Sequence, residues 1–181
     1  LKRYVDLIFT PSPVTGEVYG IKAFSFDNGI DVESIKRRKY EGPKKKTLRF
    51  IGVANLSPWH GYDRIIRGIA KYYEKKNKIN FIFNVVGDGI ELSELRRLAK
   101  ELNVGDRIIF HGKKYGKELD AMYNNSDIAV SSIGFLRLAK SLKTREACLK
   151  GIPFVEAKGD PIFDEDFKYV YLVKEKDTAV D

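Results

Sequence analysis

The stretch Asn80-Phe81-Ile82-Phe83-Asn84-Val85-Val86-Gly87-Asp88-Gly89 decides the fold. It is a short, mostly apolar run that stops at a glycine turn, which is typical of a strand buried on both faces of a sheet. Residues 90–103 follow it, with leucines and an alanine recurring at helical spacing. A buried strand, a turn and an amphipathic helix form the repeating unit of a parallel sheet.

The same unit recurs on both sides of this stretch. Further strands are predicted at residues 48–53, 107–110, 127–131, 152–155 and 168–173, and helices at 61–75, around 119–123 and at 141–150. Strands spaced by helices predict an α/β domain with a doubly wound, Rossmann-like parallel sheet. Ligands bind such sheets beyond the carboxyl ends of the strands. One site is therefore expected from the loops 52–61, 87–89, 112–116 and 131–141.

The first 40 residues do not continue this series. They contain two apolar runs, Val5–Phe9 and Ala23–Phe26, separated by prolines and glycines. Two short strands cannot bury a core alone. We therefore predict that residues 1–40 are the tail of another domain with its linker, and that residues 41–181 form the main domain, truncated at its C-terminus.

Composition limits the class of protein. The chain has 181 residues with 43% hydrophobic content, enough for one packed α/β domain. It contains no apolar run of the roughly 18 residues that a membrane span needs. The single cysteine, Cys148, cannot form an intrachain disulfide and favours a reducing, cytoplasmic setting. His60 and His111 stand apart without a carboxylate motif, so neither a metal site nor a cofactor is expected.

The net charge of +8 lies largely in two basic runs, Lys36–Lys39 and Lys44–Lys46. They flank Gly42-Pro43, which breaks regular structure, and this placement predicts a solvated linker. Attraction to an anionic membrane surface stays open as a secondary, peripheral role. Binding of nucleic acid is not expected, because aromatic and basic residues do not interleave here.

Generic catalytic motifs are missing from the sequence, but a family pattern is present. No GxGxxG fingerprint follows the first strand, and no Walker A motif occurs. Four segments instead resemble, in order, the C-terminal domain of the retaining GT-B glycosyltransferases of glycosyltransferase group 1. They are Phe50–Gly52 with His60–Asp63, Phe83–Gly89, Ile109–Gly112, and Lys143–Val155. Asp27–Asp31 resembles the turn that closes the N-terminal domain of that family.

The resemblance implies one half of a two-domain enzyme. It implies transfer of a hexose from a UDP- or GDP-sugar to a glycan or lipid-linked acceptor, with retention. The missing N-terminal domain would supply the acceptor contacts. A half-cleft cannot hold both substrates in a reactive geometry, so this chain is expected to bind donor and transfer nothing.

The resemblance also assigns residues to the donor. Glu146 would accept both ribose hydroxyls, while His60, Lys143 and the helix starting at Ser141 would stabilise the leaving diphosphate. Further donor contacts are expected from Gly52, Asn55, Gly61, Gly87, Lys113 and Ser132. Plainer alternatives stay open, among them a tight turn at Gly52, a solvated Lys143 and a Glu146 that only favours the helix dipole.

Three positions depart from the family pattern. Val53 stands where the family usually has an arginine, His60 where it has a lysine and Leu138 where it has a glutamate. Asn55, His60, Arg64, Arg137 and Lys143 are candidate substitutes for the lost contacts. Because an unperturbed histidine titrates near pH 6.5, His60 predicts diphosphate binding that strengthens between about pH 8 and 6.

Two rival functions remain at this stage. A sugar-phosphate isomerase or sugar-nucleotide epimerase of the same architecture would share the fold, because fold does not determine function. A degenerate, non-catalytic module that binds nucleotide sugars would explain Val53, His60 and Leu138.

Overall fold

The computed structural model describes residues 2–10, 14, 16–26, 29–40, 42, 47–75, 79–134, 141–157, 163 and 166–173. Within these residues the strands form two separate sheets, one of three strands and one of six. The six-stranded sheet carries the helices and is called the main sheet below.

The three-stranded sheet lies in the first 40 residues. It consists of β1 (Leu7–Thr10), β2 (Glu17–Val18) and β3 (Ile21–Ser25), in the order β1-β3-β2. β1 runs parallel to β3, and β2 runs antiparallel to it. The apolar runs of the sequence predict β1 and β3 but not β2, because a strand of two residues leaves no alternation to read.

The main sheet is entirely parallel. Its strands are β4 (Thr47–Asn55), β5 (Asn80–Asp88), β6 (Ile108–Phe110), β7 (Ile128–Val130), β8 (Phe154–Ala157) and β9 (Val170–Val173). The spatial order is β6-β5-β4-β7-β8-β9, and every neighbouring pair is parallel. This is the doubly wound, Rossmann-like arrangement, and it confirms the predicted fold class.

Within the described residues, four α-helices cover the two faces of the main sheet. They are α1 (Tyr62–Glu74), α2 (Leu92–Glu101), α3 (Gly116–Asn124) and α4 (Leu142–Lys150). Residues of α1 and α2 share one buried cluster with Val85, whereas residues of α3 and α4 share a second cluster with Val86. Successive residues of β5 therefore enter opposite cores, which is the two-sided burial that its apolar run predicts.

The chain order reverses at β4. From β4 the chain proceeds outward to β5 and β6, then returns to the other side of β4 to form β7. The helices that follow β4 and β7 consequently lie on opposite faces of the sheet. The carboxyl edge beside this reversal is where sheets of this kind bind ligands.

The sequence predicts that the loop after the first main-sheet strand begins at Gly52. The structure places Gly52 inside that strand. β4 continues to Asn55, and Gly52 pairs with Val85 and Val130 in the middle of the sheet. A Cβ atom at Gly52 would lie 2.6 Å from the ring of Tyr62. The missing side chain makes room for that ring, so the prediction of an open backbone approach to phosphate at Gly52 is wrong.

The first basic run is not wholly solvated. Arg38 is 7% exposed, and its guanidinium lies 3.9 Å from the ring centroid of Tyr40. It donates hydrogen bonds to the carbonyl oxygens of Ser126 and Gly151, while the Tyr40 hydroxyl donates to Asp127 over 2.7 Å. This part of the linker is therefore packed against the amino ends of β7 and β8. The second basic run, residues 44–46, lies outside the described residues.

Across the described part of the chain, none of the helices combines the length and the apolar character that a membrane crossing requires.

We expect Gly52→Ala to destabilise the domain. The added methyl would overlap the buried Tyr62 ring, and overpacking of this kind costs about 1–3 kcal/mol of unfolding free energy. Urea denaturation measures the loss. Gly105→Ala is the matched control, since a Cβ there would meet its nearest atom only at 4.0 Å. Equal stability of the two variants would contradict the packing role of Gly52.

Candidate functional site

A cleft of about 480 Å³ lies at the carboxyl edge of the main sheet. It is lined by the ends of β4 and β5, by the loop between β6 and α3, and by the first turn of α4. The lining residues are Val53, Ala54, Asn55, Val86, Gly87, Asp88, Lys113, Lys114, Tyr115 and Lys143. Four residues assigned to the donor from the sequence are thereby brought together: Asn55, Gly87, Lys113 and Lys143.

The carboxyl end of β5 forms one wall of this cleft. Gly87, in this last part of the strand, has φ +125°, and a Cβ there would lie 1.8 Å from the carbonyl oxygen of Ala54. The strand end is held in place on both sides, because the Leu56 N–H donates to the Asp88 carbonyl and the Gly87 N–H donates to the Gly112 carbonyl, each over 2.8 Å. Only glycine fits at position 87, so backbone atoms rather than side chains face the cleft here.

The side chains around the cleft are mainly cationic. Lys113, Lys114 and Lys143 line it together with a single carboxylate, Asp88. Lys114 is engaged with Glu118, whose carboxylate lies 2.8 Å from its ammonium. Burial lowers the pKa of Lys143 to about 8, and the nearby charge of Glu156 opposes this fall. The cleft therefore favours an anionic ligand, and its most deeply placed cation titrates near neutral pH.

The first turn of α4 is locked to the end of β7. Ser141 is the N-cap residue, as the sequence predicts, with φ −74° and ψ 120°. The Ser131 hydroxyl donates to the Ser141 hydroxyl over 3.0 Å and lies 2.7 Å from the hydroxyl of Thr144. These contacts hold Lys143, in the same turn, in a defined position beside the cleft. The N–H groups of this turn have no partner within the helix, which suits an anion at its start.

His60 is a buried, neutral ring, and this corrects the role that the sequence analysis gives it. It is 6% exposed and packs between the rings of Trp59 and Tyr62, with centroids 5.9 and 5.8 Å away. Burial, reinforced by the charge of Lys143, lowers the pKa of His60 to about 4. The ring then carries no charge between pH 6 and 8. The prediction that titration of His60 makes diphosphate binding pH-dependent is therefore wrong. The prediction that a charged His60 stabilises the diphosphate is wrong for the same reason.

The loop before α1 is sealed by the segment after β7. A Cβ at Gly61 would lie 2.5 Å from the backbone nitrogen of Gly134. The Ile133 N–H donates to the His60 carbonyl over 3.0 Å, and the guanidinium of Arg64 donates to the Ile133 carbonyl. Gly61 and Arg64 therefore lie in a packed contact between two loops. The structure does not bring them into the cleft, and its lining does not include Ser132 either.

Glu146 lies one helical turn beyond Lys143 on α4. It is partly buried, and the hydroxyl of Tyr123 donates to its carboxylate over 3.4 Å. Burial raises the pKa of Glu146, although Lys150 and the Tyr123 hydrogen bond act in the opposite direction. Glu146 is thus placed against α3, adjacent to the cleft rather than within its lining.

Sequence reasoning missed Tyr115. This side chain is 73% exposed and forms an aromatic wall of the cleft, directly before α3. Its signal in the sequence is only its position, in a loop that leaves the carboxyl end of a strand. Arg137 and Leu138 lie outside the described residues. Among the residues that are described, no group of three or more His, Cys, Asp or Glu side chains could hold a metal ion.

Comparisons with known proteins concern the family and the fold of the chain. A family model described as glycosyl transferases group 1 matches residues 33–155. No curated protein sequence matches the chain. Among solved structures, HepE from Anabaena, in complex with UDP and glucose, superposes with a TM-score of 0.68 at 19% identity, over 97% of this chain. TarM from S. aureus, in a complex that contains UDP, gives 0.66 at 18% identity over 87%.

A third solved structure, the pneumococcal O-GlcNAc transferase GtfA in complex with UDP and GlcNAc, gives a TM-score of 0.62 at 21% identity over 89% of this chain. At these identities the likeness concerns the fold. The chain spans 51% of the length of HepE and 30% of the lengths of TarM and GtfA.

We expect the two histidines of the chain to respond differently to the loss of Lys143. In Lys143→Gln the pKa of His60 should rise, because the charge that helps to lower it is removed. The pKa of His111 is lowered by burial and by Lys114, so it should not change. NMR titration of the imidazole resonances follows both rings in one sample. Identical titration of His60 in the parent and the variant would show that Lys143 does not lie near it.

Proposed function

Because the chain belongs to the group 1 glycosyl transferases, we propose that it is the donor-binding half of a GT-B glycosyltransferase and binds a nucleotide sugar in the cleft. The reaction is transfer of a sugar from a UDP- or GDP-sugar to a glycan or lipid-linked acceptor, with retention. The observation that carries this proposal is the convergence of three lysines and the end of β5 on one cleft at the reversal point of the sheet.

The donor is oriented by the charges around the cleft. Its diphosphate lies beside Lys143 and the first-turn N–H groups of α4, where positive charge and free donors coincide. Its base lies toward Lys113 and Tyr115, where the exposed ring offers a face for stacking. Its ribose lies toward Glu146, one turn further along α4. UDP is the first nucleotide to test, since the HepE, TarM and GtfA structures are all complexes that contain it.

Catalysis in this proposal is electrostatic. As the bond from the sugar to the diphosphate breaks, negative charge grows on the leaving diphosphate, and the Lys143 ammonium stabilises it. At an effective dielectric of about 20, two unit charges about 4 Å apart interact by about 4 kcal/mol. A neutral His60 adds no charge to this stabilisation, so Lys143 carries the role that the sequence analysis divides between the two residues.

The remainder of the enzyme is also part of the proposal. Residues 1–40 belong to a second, N-terminal domain with its linker, and residues 41–181 form the donor domain. The second domain supplies the acceptor contacts. A cytoplasmic setting with peripheral contact to a membrane is supported by the single cysteine and by the basic runs in the linker.

A second candidate function is a module that binds nucleotide sugars without catalysis. It is favoured by Val53, an apolar side chain that lines the cleft where the family resemblance implies an arginine, and by the neutral His60. The two candidates differ in outcome, because only the first gives transfer when the full-length protein is supplied with donor and acceptor.

We expect Glu146→Gln to weaken UDP binding. Loss of hydrogen bonds to a charged group costs about 1.5–3 kcal/mol, which corresponds to about one to two orders of magnitude in Kd. Titration calorimetry measures the change, and Glu74→Gln, at an exposed glutamate in the last turn of α1, is the control. Unchanged affinity in Glu146→Gln would remove Glu146 from the site. A parent chain that binds neither UDP, GDP nor their sugars would refute the donor proposal itself.

We expect residues 1–181 to bind donor without transferring sugar, because one wall of a two-domain cleft leaves the donor in water and the acceptor without a site. A radiolabelled-sugar assay with lipid extracts as acceptor tests this chain against the full-length protein. Both should bind UDP within about tenfold of each other by calorimetry. Robust transfer by residues 1–181 would contradict the two-domain assignment.

A further inference from the structure

A buried carboxylate lies behind the cationic wall of the cleft. Glu156 is 2% exposed and stands in β8 between Val155 and Ala157, which are 5% and 0% exposed. Burial of an isolated carboxylate costs several kcal/mol, so such a group needs compensation from nearby charge or hydrogen bonds. The apolar pattern of a central strand does not call for a glutamate at this position.

The direction of the Glu156 side chain follows from the strand. Phe154, two residues earlier in β8, packs in the buried cluster that contains Ala147 of α4, while Val155 packs in the cluster on the other face. Because side chains alternate along a strand, Glu156 lies on the same face as Phe154, under α4. α4 and β8 are in direct contact.

The same geometry brings Glu156 level with the start of α4. The Ser131 N–H donates to the Val155 carbonyl over 2.9 Å, and the Ala157 N–H donates to the Ser132 carbonyl over 3.3 Å. Glu156 therefore stands beside the end of β7, to which the first turn of α4 is fixed through the Ser131–Thr144 contact. Lys143 is in that turn, and the negative charge of Glu156 raises its pKa against the effect of burial.

We propose that Glu156 is a positioning residue, whose buried negative charge below the first turn of α4 favours the ammonium form of Lys143 at the wall of the cleft where a diphosphate binds. This inference rests on the proposed donor site. It explains how a lysine withdrawn from solvent keeps a charge beside a histidine that has none. Glu156 touches no ligand and acts through Lys143.

Among the described residues, the other charged or titratable groups near Lys143 do not take the place of Glu156. His60, in the loop before α1, is neutral above about pH 4. Across the cleft lie Lys113 and Lys114, which disfavour a further ammonium, and Asp88, which is exposed at the end of β5. On α4 itself, Arg145 and Glu146 flank the same turn with opposite charges. Removal of the Glu156 charge should therefore leave burial dominant, and the Lys143 pKa should fall.

The test is the pH profile of UDP affinity in the parent chain and in Glu156→Gln, measured by calorimetry. The terminal phosphate of UDP loses its second proton with a pKa near 6, equally in both experiments, so the difference between the two profiles reports on the protein. Parent affinity should fall as pH rises through about 8, where Lys143 loses its proton. In Glu156→Gln the midpoint of this fall should lie about one pH unit lower. The affinity should then be about threefold weaker than the parent's midway between the two midpoints, approach about tenfold weaker above the upper one, and agree within about twofold at pH 6.

The variant Lys143→Arg distinguishes an effect of Glu156 on the protonation of Lys143 from a purely structural role of Glu156. A guanidinium stays charged throughout this range, so the profile of Lys143→Arg should be flat and should stay flat when Glu156→Gln is added. A break that does not move in Glu156→Gln, or one that appears in the double variant, would overturn the inference. A merely structural Glu156 would lower the unfolding temperature and leave the break in place. If Glu156→Gln does not fold, Glu156→Asp, with a retracted carboxylate, should move the break in the same direction by less.

The inference can also fail or hold independently of the donor proposal. NMR titration of the Lys143 Nζ in the ligand-free chain should give a midpoint near 8 in the parent and a lower one in Glu156→Gln. A lower midpoint together with no UDP binding would refute the donor proposal and retain the Lys143–Glu156 pair. UDP binding together with equal midpoints would retain the donor proposal and refute the Lys143–Glu156 pair.

Discussion

β4 is hydrogen-bonded on both edges, to β5 over nine residue pairs and to β7 over three, and the organisation of the molecule depends on this double pairing. The chain forms β5 and β6 on one side of β4 and β7 to β9 on the other. α1 and α2 cover one face of the sheet, while α3 and α4 cover the other. The cleft lies at the carboxyl ends of β4 and β5, beside the loop between β6 and α3 and the first turn of α4. β4 thus contributes both to the core and to the lining of the cleft.

The electrostatics of the cleft follow from how deep its groups lie. Burial makes the imidazole of His60 neutral and brings the pKa of Lys143 to about 8, because both lose hydration that the charged form needs. The same loss of water strengthens any interaction of Lys143 with an anion. A site of this kind combines a strong cation with a proton that leaves near physiological pH. In our proposal, the charge of Glu156, in β8 under α4, determines whether Lys143 is protonated at physiological pH.

The sequence predicts those parts of the structure that depend on local pattern. The alternation at Val85 and Val86 and the N-cap at Ser141 each follow from neighbours within a few residues. The predicted strand end before Gly87 is wrong, because β5 continues through Gly87 to Asp88. Gly52 and His60 could not be predicted in this way. The missing side chain at Gly52 leaves a space that either a ligand or an aromatic ring could fill. Only the packing in the structure shows that the Tyr62 ring fills it. The neutrality of His60 depends on burial and on a lysine 83 positions away.

The anchoring of the linker has a mechanical consequence. Arg38 is fixed to the amino edge of the main sheet by its backbone N–H and its guanidinium, so the tether between the two sheets consists only of residues 26–37. Fully extended, a chain of that length reaches about 40 Å. The small sheet is thereby confined to a small volume around the main sheet, at an effective concentration on the order of millimolar. Arg38 is the fixed end of this tether, and the length of the tether limits how far the small sheet can lie from the main sheet.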